Sequence, residues 1–250
     1  MTHLKKITAA LLIILLIHFS ACNKSEQYIS SATIQDYSPL AVGKYISYNL
    51  DSIVTVNFGS GFVIRNYQVK YQVDELITDN LGRPAYRIIR YIRKTVSNPW
   101  QPDATFMAVN TGTSLEFVEN NLRFIKLKFP VRNGYAWKGN SFIDTQSGNS
   151  ELIYLDNWDY EYDSVGVRTT IGTFNLERTL IVKQQDELIG DPADPLQYSE
   201  KNYAVEKYAE GIGMVYHNFF HSEFQPARNG MAAHFKDGSY GIILTMIDHN

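Results

Sequence analysis

The residue with the most specific chemistry is Cys22, the only cysteine in the 250-residue chain. It follows a basic start, an apolar run from Ala9 to Ile17 and small residues just before the thiol. These three features are typical of a cleaved secretory signal. A thiol at the first mature position is what the bacterial lipoprotein pathway acylates. The sequence therefore predicts a signal peptide over residues 1–21 and lipidation, including palmitate, at Cys22.

Other interpretations of the leader explain less of it. The run from Ala9 to Ile17 is shorter than the about 20 apolar residues that a membrane-spanning helix needs. An ordinary secretory signal would make Cys22 incidental, and a buried core helix would be unusual at the very start of a chain. A lipoprotein signal accounts for the apolar run, the small residues and the cysteine together.

The charge balance limits the partners of the mature chain. Removing residues 1–21 takes away Lys5 and Lys6, which leaves 21 basic residues against 26 acidic ones and a net charge of −5. This balance argues against a nucleic-acid partner, which favours a basic surface. It also argues against electrostatic binding to anionic lipid, so we expect the membrane to be a partner through the N-terminal lipid anchor alone.

The segment after Cys22 is polar and lacks periodicity. Residues 22–35 are therefore predicted to be a lipidated tether that leads to a single domain over residues 36–250. Asn23 stands where an aspartate often signals retention in the inner membrane. We expect a bacterial cell-envelope location in the outer membrane, and the sequence favours neither the periplasmic nor the surface-facing leaflet.

Potential metal ligands cluster between His217 and Glu223 (HNFFHSE). On an extended strand, His217, His221 and Glu223 share one face with Phe219. Imidazole nitrogens and a carboxylate can hold zinc, and His234 is a further candidate on the next strand. A solvated strand end explains the same pattern, so these three residues are weak metal candidates and we predict no metal.

Acidic and aromatic residues alternate over Asp156–Asp163 (DNWDYEYD). Carboxylates at alternate positions could hold calcium, although the EF-hand order is missing. Aromatic rings beside Asp156, Asp159 and Asp163 could instead stack on a sugar. A strand edge protected by charge explains the segment equally well.

No catalytic pattern is recognisable in the chain. The motifs G-x-S-x-G and H-E-x-x-H are absent. Adjacent acids such as Asp74 and Glu75 would point to opposite faces of a strand. We therefore expect a protein that is not an enzyme, with no catalytic residue and no cofactor.

Alternation of apolar and polar residues runs through the whole mature chain and predicts strands. Examples are Tyr45–Leu50, Ile53–Phe58, Val63–Val73, Leu122–Phe129 and the run from Ser199 to Ala209, which has some helical character as well. Turn-forming residues separate these runs. The predicted turns are Gly59–Gly61, Asp79–Pro84, Asn120–Asn121 and Asp237–Gly238, the last of which would join Ala232–Lys236 to Tyr240–Ile247. Longer loops are predicted at Asn98–Ala104 and Asp186–Tyr198.

These strands predict an all-β fold. An antiparallel meander without helices between the strands favours a strongly curved sheet, a half-barrel or an up-and-down barrel. A β-sandwich is the alternative. Because no cysteine follows Cys22, the domain has no disulfide and must be stabilised by its core.

Three motifs occur in a fixed order along the domain. They are the segment Tyr37–Tyr45 (YSPLAVGKY), the segment Ile171–Phe174 (IGTF) and the segment Tyr208–Tyr216 (YAEGIGMVY). In this order the chain resembles a family of uncharacterised β-rich lipoproteins of Bacteroidota, and the resemblance implies no activity. Gly172, Gly211 and Gly213 also suit bulges or sharp strand bends.

The aromatic content suggests how the domain functions. Its 17 tyrosines add to an aliphatic core that is already sufficient. We expect a concave, aromatic surface that binds an apolar or amphipathic, lipid-like ligand, with Trp100, Trp137 and Trp158 as the predicted ligand-binding residues. Two alternatives are a scaffold subunit with an envelope protein partner and a glycan-binding or glycan-hydrolysing protein.

Overall fold

The computed structural model describes residues 32–147, 151–156, 158–228 and 230–250. They form one short helix, α1 (Ile34–Tyr37), a 3₁₀ turn (Ile153–Leu155) and thirteen strands. The strands are β1 (Tyr45–Val56), β2 (Gly61–Thr78), β3 (Pro84–Arg93), β4 (Gln101–Asn110), β5 (Ser114–Glu119), β6 (Leu122–Lys128), β7 (Ala136–Lys138), β8 (Asp159–Ile171), β9 (Phe174–Ile189), β10 (Ser199–Ala209), β11 (Gly213–Gln225), β12 (His234–Phe235) and β13 (Tyr240–His249).

Twelve of these strands form one antiparallel sheet that is nearly closed into a barrel. Its order is β6-β5-β4-β3-β2-β1-β13-β11-β10-β9-β8-β7, and β12 pairs with β11 beside this path. Successive strands are neighbours, and β13 returns to pair with β1, as in an up-and-down meander. The predicted all-β barrel is therefore confirmed, and a sandwich is excluded.

The barrel has one seam, between β6 and β7, where no strand ladder forms. Individual hydrogen bonds cross it: Ile125 N donates to Gly139 O over 2.8 Å, and the Trp137 indole donates to Ile125 O over 2.8 Å. Lys128 N also donates to the Tyr162 hydroxyl over 2.9 Å. These bonds satisfy several backbone groups that an open sheet edge would leave unpaired.

Alternation places one face of each strand inside the barrel. Along β10 the inward residues Asn202, Ala204, Glu206 and Tyr208 are buried, and the residues between them are more exposed. A second buried cluster joins the tip of the β8–β9 hairpin to β1, β11 and β13, and contains Tyr48, Ile171, Leu176, Val215 and Met246.

Helix α1 covers one end of the barrel. Thr33 and Asp36 form a capping box at its start, and Ile34 and Tyr37 are each 1% exposed. Gly211 N, in the β10–β11 turn, donates to Asp36 O over 2.7 Å. The helix begins before the predicted domain boundary at residue 36, so the last residues of the predicted tether belong to the folded body.

Most predicted turns are present. Asn120 and Asn121 have φ values of 51° and 62° and form the tight β5–β6 turn. At the β1–β2 turn, a Cβ on Gly59 would lie 2.1 Å from Phe235 O, so only glycine fits there.

Four local predictions were wrong. The strand at 232–236 is reduced to β12 and pairs with β11, not with β13. β4 begins at Gln101 and β9 continues to Ile189, because pairing with β3 and β10 extends both strands into the predicted loops. Of the glycines for which bulges or sharp strand bends were predicted, Gly172 lies in the β8–β9 turn, Gly211 lies in the β10–β11 turn, and Gly213 is the first residue of β11.

Candidate functional site

The barrel encloses a cavity of about 420 Å³, which we take as the candidate functional site. Its wall is mostly apolar and aromatic. Four of its rings form a continuous row across β1, β2, β4 and β5: Tyr48, Tyr71, Phe106 and Phe117, with centroids 5.6, 5.3 and 5.5 Å apart. We call these four residues the aromatic wall.

The mouth of the cavity lies opposite α1. Among its lining residues, Asn120 in the β5–β6 turn and Tyr240 at the start of β13 are exposed. Tyr37 and Ser38 line the cavity at the α1 end and are buried. Access to the cavity is therefore best at the β5–β6 end.

A group of ionisable side chains lies inside the barrel. Lys126 on β6 donates to Glu206 Oε1 over 2.8 Å, and its Nζ lies 3.6 Å from Glu119 Oε1. The Tyr208 hydroxyl donates to Glu206 Oε2 over 2.6 Å, and His217 Nδ1 lies 3.2 Å from Glu206 Oε1. We call these five residues the interior cluster. Its central ion pair, Lys126–Glu206, joins β6 at the seam to β10. In the sheet order β7, β8 and β9 lie between the seam and β10, so the pair bridges the interior of the barrel.

Both members of the central pair are ionised. Burial opposes the charge on Glu206, but Lys126 and the nearby His217 outweigh it and bring the pKa of Glu206 below its usual range. Burial likewise opposes the charge on Lys126, yet Glu206 and Glu119 raise its pKa above the usual range. Because Glu206 already has three neighbours on its two oxygens, it is poorly placed to act as a nucleophile or base.

Tyr154 and Tyr240 line the cavity near its mouth, and His221 packs behind Tyr154. The Tyr154 ring stacks on the His221 imidazole, with the two ring centroids 3.8 Å apart. Burial, followed by the neighbouring Tyr240, raises the pKa of Tyr154 above its usual range, so its hydroxyl stays protonated. Burial also lowers the pKa of His221.

The three predicted tryptophans lie in different places. Trp158 lines the cavity and is 2% exposed, and its indole donates to Tyr154 O over 2.6 Å. Trp137 is buried at the seam and does not line the cavity. The guanidinium carbon of Arg93 lies 4.2 Å from the ring centroid of Trp100. Trp100 does not line the cavity either.

The weak metal candidates are occupied by other contacts. His217 faces Glu206, and His221 Nδ1 lies 2.7 Å from Asn202 Oδ1. Glu223 bonds Lys236 over 3.0 Å, and His234 Nδ1 lies 3.0 Å from Ala232 O. Within the ranges that the structure describes, no three histidine, cysteine or acidic side chains are placed to share a metal ion.

The alternation over 156–163 separates the acids from the rings. Trp158, Tyr160 and Tyr162 are buried, whereas Asp159 and Asp163 are exposed. Asp156 is held nearby by the Thr145 hydroxyl, which donates to its Oδ1 over 3.0 Å. The predicted sugar platform would need the carboxylates and Trp158 on one face, but Trp158 is buried and Asp159 and Asp163 face outward.

Sequence reasoning did not identify the interior cluster. Lys126 shares an apolar strand face with Leu122 and Phe124, which is the one local signal that it is buried. Its partner Glu206 is 80 positions away, so no spacing rule could connect them.

Cys22 and the predicted signal peptide lie outside the described residues. In the part of the chain that the structure describes, no helix is long and apolar enough to cross a membrane. We compared the chain with protein-family models and with curated proteins, and neither comparison found a match.

Proposed function

We propose that this chain is an envelope lipoprotein whose barrel binds a small apolar or amphipathic molecule. The observation that carries the proposal is the cavity of about 420 Å³ with its aromatic wall. Pockets for small molecules are typically about 300–1,000 Å³ and combine apolar walls with a few polar groups. The interior cluster supplies polar groups of this kind.

The anchoring part of the proposal depends on the N-terminal sequence. Cys22 follows a leader of secretory type, and polar residues separate it from α1. Acyl chains on this thiol would hold the barrel at a membrane surface. The outer membrane is the proposed location, and membership among the β-rich lipoproteins of Bacteroidota is proposed on the three ordered motifs.

Filling the cavity tests ligand binding. Ala104 lines the cavity and pairs with Arg90 across β3 and β4. We expect Ala104→Trp to weaken binding of the fluorescent probe N-phenyl-naphthylamine at least about tenfold, because the indole takes the space that the probe needs. The measurement is a fluorescence titration of the full domain.

The matched control is Ala136→Trp, since Ala136 lies on β7 and is exposed. This variant should bind the probe like the wild type. Equal binding by all three proteins, or no binding by the wild type, would contradict a ligand site inside the barrel.

A further inference from the structure

A side-chain amide whose NH₂ group makes no hydrogen bond within the described ranges lies in the wall of the cavity. The side chain of Gln184 lines the cavity, and the residue is 2% exposed. Its Nε2 has no hydrogen-bond partner among the described residues. Burying an amide donor without an acceptor is costly, so this group marks a place where a bound molecule would supply one.

The backbone of β9 is irregular at this residue. Lys183 pairs with Val205 and Gln185 pairs with Ala204, which leaves Gln184 as the extra residue of a β-bulge. The inward alternation of Leu180 and Val182 nevertheless continues to Gln184, so its side chain faces the cavity. The buried, inward position of Gln184 and its Nε2, which has no hydrogen-bond partner in the described part of the chain, both point to this residue as a ligand contact.

The cations of the cavity already have partners. Lys126 bonds Glu206 over 2.8 Å, and Arg90 Nε bonds Asp103 Oδ2 over 2.5 Å. Lys44, at the α1 end, donates to the Gly211 carbonyl over 3.0 Å. An anionic ligand would have to compete with Glu206 for Lys126 and with Asp103 for Arg90. A cationic ligand would be repelled by the positive charge of Lys126. An uncharged polar group avoids both costs.

We propose that the ligand carries an uncharged hydrogen-bond acceptor, such as a ketone, ester or amide carbonyl, that accepts a hydrogen bond from Gln184 Nε2. Its apolar remainder packs against the aromatic wall. This inference rests on the proposed function, because it names the chemistry of the ligand that the cavity takes.

The test uses four probes of equal chain length: a medium-chain methyl ketone, the parent alkane, the carboxylate and the primary ammonium. Displacement of N-phenyl-naphthylamine from the wild-type domain gives their relative affinities. We expect the ketone to bind about tenfold tighter than the alkane, as one hydrogen bond to a buried donor implies. The carboxylate and the ammonium should bind more weakly than the ketone.

The variant Gln184→Leu should lose the preference for the ketone and bind the alkane at least as well as the wild type does. Gln185→Leu is the matched control, since Gln185 does not line the cavity and its Oε1 accepts from Asp186 N. Alkane binding reports whether the cavity of each variant is intact. A ketone preference that survives in Gln184→Leu, or a preference for a charged probe, overturns this inference alone. Binding of no probe overturns the proposed function with it.

Discussion

Lys126→Met is expected to lower the free energy of unfolding by about 3–5 kcal/mol, because it leaves the charge of Glu206 buried without its cation. Glu206 is 1% exposed, and Lys126 is its closest cationic partner at 2.8 Å. The same bond ties β6 to β10 beside the seam, where no strand ladder holds the barrel closed. Urea denaturation of the purified domain measures the loss.

Two further variants make this prediction specific. Lys138→Met removes an ion pair of similar length, 2.8 Å to Asp159, whose side chains are 58% and 61% exposed. Exposed pairs contribute less than about 1 kcal/mol, so little stability should be lost. Adding Glu206→Gln to Lys126→Met should recover most of the loss, since no unpaired charge remains. If Lys126→Met costs no more than Lys138→Met, the interior cluster does not stabilise the barrel as described.

Cys22→Ser is expected to abolish incorporation of labelled palmitate and to move the protein from the membrane fraction to the soluble fraction. No other cysteine can replace this thiol. Each methylene group buried in a bilayer contributes about 0.8 kcal/mol, so losing the acyl chains removes nearly all membrane affinity. Ser25→Ala, in the predicted tether, is the control and should keep both label and location. Equal labelling after Cys22→Ser would contradict lipid attachment at this residue.

Most of the fold could be predicted because the sequence signals for strands and turns lie within short segments of the chain. Alternation defines the strands, and residues such as Asn120 and Asn121 define a turn through their tolerance of positive φ. The prediction was wrong where pairing with a neighbour decided the outcome. Residues 232–236 have strand character, but their partner is β11 and only two residues pair. Strand ends at Gln101 and Ile189 were likewise set by the adjacent strand.

The site was less predictable because its residues meet only after the barrel closes. The aromatic content did indicate an aromatic concave surface, and Trp158 lies on it. Nothing in the sequence distinguishes Trp158 from Trp137, which the seam buries elsewhere. The pairing of Lys126 with Glu206 spans 80 positions. Gln184 continues the inward alternation of Leu180 and Val182, but whether its amide finds a hydrogen-bond partner is decided by the strands around it. Both the ion pair and the surroundings of Gln184 depend on which strands the closed barrel brings together, and local patterns do not specify this.

Contact quenching of Trp158 tests most directly whether the cavity holds a ligand. In a common Trp137→Phe background, Trp100→Phe leaves Trp158 as the sole tryptophan, and Trp158→Phe leaves Trp100. Titration with a brominated medium-chain methyl ketone should quench Trp158 to saturation and leave Trp100 unchanged, because only Trp158 lines the cavity. Quenching of both tryptophans to the same extent, or of neither, would contradict the binding of ligands inside the barrel.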